Sequence, residues 1–248
     1  MFIHKTEPLH EVRVQTPDPV FAEKLLEQFG GGTGELTASL TYLTQSFHTE
    51  NAGIRDMLQD IATEELGHLE MVAMLIEQHT KRAAQDAQDR AYKSTLFAIR
   101  GPGPHLVDSK GSFWDSRYVN EGGDVVRDLR ADIAAEAGAL ATYESLLKYA
   151  PDDGTRDALR HLATREVSHT KMFMIALESM HKLSDPLFGD LKPDDTVNVY
   201  FNLSSGINGA DERGPWNSEP AFKYVANPLQ REAQRQATPA EQAKPQPR

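Results

Sequence analysis

Two Glu-x-x-His pairs, Glu65/His68 and Glu166/His169, carry the chemistry this chain could perform, and each has a lone glutamate thirty residues upstream, Glu35 and Glu136. A carboxylate and an imidazole three residues apart share one face of a helix and can reach one point. Chance would supply roughly 0.7 such pairs in a chain of this composition, whereas this one has four, so two must be discounted. Glu7/His10 contains Pro8 and precedes the helical part of the chain, and Glu178/His181 lies twelve residues past Glu166. Twelve residues turn a helix by about 120° away from the Glu166 face.

The remaining pairs sit where a core should be. The stripe Ile54, Leu58, Ile61, Glu65, His68, Val72, Leu75 advances in steps of four and three, a single inward face. A second stripe runs Leu159, Leu162, Glu166, His169, Phe173, Ala176, and a third runs Leu129, Ile133, Glu136, Leu140, Tyr143, Leu147. The first helix is less regular, with Glu35 and Tyr42 beside the stripe Leu36, Leu40, Leu43, Phe47. Buried carboxylates must be paired, protonated or metal-bound, and no Lys or Arg lies on these stripes. Four carboxylates and two neutral imidazoles around two divalent cations sum to zero charge, so two metal ions answer the problem.

The chain also repeats itself. A shift of 101 residues carries Glu35, Tyr42, Glu65 and His68 onto Glu136, Tyr143, Glu166 and His169, with Gly53, Arg55, Asp56 and Leu58 falling on Gly154, Arg156, Asp157 and Leu159. Two helix hairpins of one design would then pack about a pseudo-twofold axis.

Four helical stretches must position these residues. Helical texture covers about 19–48, about 54–80, about 123–149 and about 153–182, the last opening at Pro151-Asp152-Asp153. The run Gly30-Gly31-Gly32-Thr33-Gly34 lacks the Lys-Ser/Thr of a phosphate loop, and close backbone approach is its expected use. Residues 81–121 read as a long crossover. The expected fold is all-α, a ferritin-like four-helix bundle over 1–182, followed by an extended C-terminal tail over 183–248. Within the tail, Val197–Phe201 reads as a short strand, and disorder is expected from about Gln230.

Composition narrows the function. The 248 residues carry a net charge of −11 and no local basic patch, which disfavours nucleic acid. Without cysteine the chain cannot use disulfides, iron–sulfur clusters or thiol catalysis. No apolar run approaches the ~18 residues of a membrane span, and the N-terminus lacks a signal-peptide apolar region, so a soluble cytoplasmic protein is the expectation.

Beyond spacing, the chain resembles the haem-free manganese catalases over most of residues 20–216. The resemblance rests on Gln28-Phe29-Gly30-Gly31, Gly34-Glu35-Leu36, the block Ala62–Val72, Asp108-Ser109-Lys110-Gly111 with Trp114, Ala135–Ala139, Thr164–His169 and Tyr200–Ser204. It implies disproportionation of hydrogen peroxide to water and dioxygen at a dinuclear manganese centre. It implies that Glu35, Glu65 and His68 bind one manganese, Glu136 and His169 the other, and that Glu65 bridges. Glu166 would be an outer-sphere acid/base, which the charge argument alone does not distinguish from a ligand, and Tyr42 a catalytic neighbour of the cluster. Ions that each move between +2 and +3 would store both electrons of a half-reaction. One branch of the family has Arg where this chain has Ala135. The tail has few helical signals, and its Trp216, Phe222 and Tyr224 need a surface to cover, so it is expected to wrap a neighbouring subunit; the resemblance implies that the homo-oligomer is a hexamer. It also implies a calcium site from Asp56, Asp60, Asn202, Ser204 and Gly206, where two aspartates four apart share a helix face and alternate residues of an extended chain offer oxygens to a hard cation. The alternatives are a ferritin-like di-iron oxidase or iron-storage protein, and a catalase-like structural protein of the spore-coat type.

Overall fold

The computed structural model describes residues 7–81, 92–203, 214–217, 219–226 and 228. Six α-helices are seen there: α1 Pro19–Gly30, α2 Glu35–Ser46, α3 Ala52–Lys81, α4 Thr95–Arg100, α5 Val125–Tyr149 and α6 Asp153–Ser179. The chain divides into two compact units, Met1–Gly189 and Asp190–Arg248. In the first, α2 pairs with α3 and α5 with α6, and α1 lies against α3. These hairpins make an all-α, ferritin-like bundle.

The helix starts follow from capping chemistry. Asp18, Ser94, Asp124 and Asp152 each accept a hydrogen bond from a backbone N–H of the turn they open, satisfying donors that a helix N-terminus leaves unpaired. The Asn51 Oδ1 serves the N–H groups of Gly53 and Ile54 in the same way. The crossover carries α4, which stops at Gly101 with φ of 86°, a conformation glycine adopts without penalty.

The helical texture of 19–48 is two helices, not one. Gly31 leaves the helix in an extended conformation and Gly34 re-enters from one. A Cβ on Gly30 would stand 2.6 Å from the Val107 carbonyl oxygen, and one on Gly34 would stand 2.7 Å from that of Gln28. The glycines therefore serve close approach: the chain turns a corner against the crossover and restarts with Glu35 in the first turn of α2.

Burial agrees with the inward stripes of α3 and α6, every member of which is buried. It corrects the other two. In α2 the leucines Leu36, Leu40 and Leu43 are half-buried and Phe47 is 67% exposed, while Glu35, Ser39, Tyr42 and Gln45 face inward. In α5 the buried line is Leu129, Asp132, Glu136, Ala139, Tyr143, Leu146, with Ile133, Leu140 and Leu147 flanking it. Both helices turn a polar face to the bundle interior because that interior is polar at mid-height.

Two apolar clusters bracket this polar layer. One joins Leu25 and Leu26 to Met71, Leu75, Tyr143, Leu146, Leu159 and Leu162. The other joins Tyr42, Leu58, Ile61, Val126, Leu129 and Phe173. Along α3 and α6 the chain passes from one cluster through the Glu-x-x-His pair into the other, in opposite directions. Burial of such side chains contributes roughly 1.5–3 kcal/mol each, which is what holds four acids in a low-dielectric interior.

The second unit holds β1 Val199–Phe201 paired in parallel with β2 Lys223–Val225, with Tyr200 and Tyr224 stacked. Trp216 is exposed there. The expectation of disorder from about Gln230 falls outside the described residues.

Candidate metal centre

The middle layer of the bundle brings together all six residues of the two repeated motifs. Glu35 comes from α2, Glu65 and His68 from α3, Glu136 from α5, and Glu166 and His169 from α6, each buried. Glu35, Glu65, His68 and Glu166 offer ligand atoms within 4.8 Å of one another, and so do Glu65, Glu136, Glu166 and His169. Glu65 and Glu166 belong to both groups, so the two sites share a boundary.

Glu65 lies between the imidazoles. Its Oε2 is 2.7 Å from the His68 Nδ1 and its Oε1 is 2.8 Å from the His169 Nδ1. The rings stack at 5.6 Å and 25°. Glu35 and Glu166 stand 3.8 Å from the His68 Nδ1, and Glu136 stands 3.7 Å from the His169 Nδ1. Each Nδ1 therefore faces the cluster acids, and each Nε2 points out of the cluster toward Glu64.

The acids do not behave alike. Burial lifts Glu35 to about 8, reinforced by the Glu65 charge. Burial likewise lifts Glu136 to about 7, and lifts Glu166 well above the carboxylate range with Glu35 and Glu65 adding to it. Burial also opposes the charge on Glu65, but hydrogen bonds from His169 and His68 pull it down to about 2. His169 is raised to about 9 against its own burial by Glu64 and Glu65. Four acids share one dry layer with no lysine or arginine in it, so the layer is short of positive charge.

Several buried polar atoms here lack hydrogen-bond partners: Glu136 Oε2, Glu166 Oε1 and the Nε2 of both histidines. Such atoms are rare in folded proteins and point to a bound ion or a chemical role. Oxygen and imidazole donors suit a first-row divalent metal, and the absence of thiolates excludes a soft-ligand site. The residues fit a pair of such ions.

The carboxylates are held from behind. Tyr42 donates to Glu136 Oε1 at 2.7 Å, and Tyr143 donates to Glu35 Oε1. Reasoning from the sequence singled out Tyr42 but passed over Tyr143, although the repeat pairs the two. Also missed were Glu64, which meets Arg165 and both histidines, and Asp132, buried beside Gln45 at 2.8 Å. Asp132 lies one turn before Glu136, so helical spacing could have found it.

A cavity of about 280 Å³ reaches this layer between α2 and α5. Its walls include exposed Thr33, Ala134 and Asn120 as well as buried Glu35, Glu136 and Glu166, so it runs from the surface to the acids. Thr37, Thr41, Ala131 and Ala135 also line it.

The discounted pairs lie elsewhere. His10 contacts Asp157 and stacks on His161, and His181 is exposed just past the end of α6. Asp56 and Asp60 are exposed on α3, and Asn202 follows β1 in the second unit. Ser204 and Gly206 lie outside the described residues. Among the described residues no helix is long and apolar enough to cross a membrane.

Comparison with known proteins agrees with this centre. The family model for manganese containing catalase matches residues 1–248. The structure of KatB, a manganese catalase from Anabaena, superposes with a TM-score of 0.85 at 65% identity, covering 92% of this chain and all of that one. A probable manganese catalase from Clostridium acetobutylicum is 33% identical over 90% of this chain and 98% of its own length. A manganese catalase from Bacillus subtilis is 29% identical over 91% of this chain and 90% of its own. With a polar layer of four glutamates and two histidines and a family match along its whole length, the chain belongs to the manganese-containing catalases.

Proposed function

We propose that Glu65 bridges two manganese ions, with Glu35 and His68 completing the protein ligands of one and Glu136 and His169 those of the other. The chain disproportionates hydrogen peroxide to water and dioxygen, as its family does. The observation that carries the residue assignment is the position of Glu65, one oxygen toward each His Nδ1 at 2.7 and 2.8 Å. Family membership supports manganese over the di-iron alternative, and the complete buried cluster supports an enzyme over a structural protein.

When bound, the manganese pair supplies the two-electron exchange that each half of the reaction needs. The protein supplies the rest. One half releases two protons with dioxygen, and the other consumes two protons to make water. Glu166 can hold a proton between the halves, because burial favours its protonated form. It also lines the cavity by which peroxide reaches the layer. Tyr42 and Tyr143 fix the orientation of Glu136 and Glu35. The apolar clusters above and below shield the centre from bulk water except along the cavity.

The test is substitution with metal analysis. Glu65→Ala and His68→Ala should bring manganese well under two per chain and abolish oxygen evolution, while His181→Ala should leave both unchanged. A His68→Ala protein with full metal and full activity would sink the assignment. A hexamer, and calcium at Asp56 and Asp60, are part of the same reading and rest on the family resemblance. Sedimentation before and after treatment with EGTA tests them, since loss of calcium should lower the assembly state without removing manganese.

A further inference from the structure

Glu64 faces both histidines from the side opposite Glu65. Its Oε1 is 3.5 Å from the His68 Nε2, and its Oε2 is 3.3 Å from the His169 Nε2. These separations are slightly long for hydrogen bonds, and both Nε2 atoms are buried without a hydrogen-bond partner. A buried N–H without an acceptor is costly, and Glu64 is the acid within reach of both. Arg165 fixes that carboxylate in turn, with Nε 2.6 Å from Oε1 and Nη2 3.4 Å from Oε2.

The pair breaks the repeat at one informative place. Glu64 and Arg165 are 101 residues apart, so the pseudo-twofold operation that carries Glu65 onto Glu166 and His68 onto His169 carries Glu64 onto Arg165. Two glutamates at this position would repel across the axis, and two arginines would offer the imidazoles no acceptor. One of each makes an ion pair, and it leaves one carboxylate to serve both rings.

Resting on the ligand assignment above, we propose that Glu64 is a positioning residue common to both metal sites. It accepts the Nε2–H of His68 with one oxygen and that of His169 with the other. This fixes both rings in the tautomer whose Nδ1 lone pair points at the metal, and Arg165 holds the carboxylate in place. A histidine ligand whose second nitrogen is bonded to a carboxylate is a stronger and better oriented ligand. Because one side chain serves two ligands, a single change should unbalance the pair of ions.

Glu64→Gln tests this directly. Glutamine keeps the size but has one acceptor oxygen, so it can satisfy one imidazole and must turn its NH₂ toward the other. Manganese(II) titrated into metal-free protein, with free ion counted by electron paramagnetic resonance, should bind about 10- to 100-fold more weakly at one of the two sites. Arg165→Gln removes the ion pair but keeps both acceptor oxygens, and should weaken binding less than about fivefold, the scale of a partly exposed ion pair. Equal losses in the two variants would mean that the pair acts only through packing, and would overturn the proposal. So would unchanged binding by a Glu64→Gln protein that melts like the wild type. Should Glu64→Gln not fold, Glu64→Asp is compared with Arg165→Gln, and a smaller loss in the aspartate variant overturns the idea. The ligand assignment is checked separately, by two ions bound in the wild type and their loss in His68→Ala.

Discussion

Tyr42 of α2 donates its phenolic hydrogen to Glu136 of α5, 2.7 Å away across the bundle. The repeat carries this bond onto its mirror, in which Tyr143 of α5 donates to Glu35 of α2, so each hairpin orients a carboxylate of the other. The two tyrosines differ in one respect: Tyr42 lines the cavity and Tyr143 does not. Removing either hydroxyl leaves a buried carboxylate short of a donor, and Tyr42→Phe and Tyr143→Phe should each weaken manganese binding about tenfold. At saturating manganese only Tyr42→Phe should lower kcat/KM for peroxide. Equal kcat/KM in the two fully loaded variants would count against a role for Tyr42 in the substrate path.

On the proposed assignment Glu166 carries protons and is not a ligand. It touches both ligand groups, and burial favours its protonated form, with Glu35 and Glu65 adding to the effect. Glu166→Gln keeps the shape and removes the proton carrier. It should retain two manganese ions and lose about 10²- to 10⁴-fold in turnover, the usual contribution of a placed acid/base. Loss of a manganese ion from this variant would make Glu166 a ligand.

The sequence made the bundle and its six cluster residues legible because both depend on local periodicity. Glu65 and His68 interrupt an apolar stripe at helical spacing, and the 101-residue shift finds their mates. The polar faces of α2 and α5 were harder to read. Leu36, Leu40 and Leu43 look like a core stripe, but only the tertiary arrangement says that the metal layer claims the opposite face. Glu64 and Arg165 were hidden for a related reason. Each is an ordinary charged residue on its own helix, and their meeting across the axis depends on how the two hairpins pack. The corner at Gly31–Gly34 is hard to read because helices lie directly on both sides of it.

Ala135 lies on the cavity wall one residue before Glu136. A small side chain there leaves the approach to the acids open, at a position where one branch of the family carries arginine. Ala135→Leu adds bulk to the wall without adding charge. It should lower kcat/KM for peroxide at least tenfold while leaving manganese content and turnover at saturating peroxide nearly unchanged, because it obstructs access and not the acids. Unaltered kcat/KM in Ala135→Leu would show that peroxide enters by another route.

His79 offers a test of stability away from the metal layer. Its Nδ1 accepts the backbone N–H of Asp18 at 3.1 Å, and its Nε2 lies 3.2 Å from the Thr155 hydroxyl. One imidazole thus ties the end of α3 to the starts of α1 and α6. Burial disfavours its charged form and lowers it from 6.5 to about 4, against the pull of Asp152 and Asp18. The unfolded chain therefore binds the proton more readily than the folded one, and stability rises with pH between these values. The contribution is fully present above pH 6.5 and is lost as the pH falls through about 4, with a ceiling of about 3 kcal/mol. His79→Gln keeps an acceptor for the Asp18 N–H and cannot titrate. Melting temperatures of wild type and variant, measured from pH 7.5 to 4.5 at fixed manganese, should converge as the pH falls, because only the wild type loses this contribution. A gap between the two that stays constant over that range would mean that His79 does not titrate there.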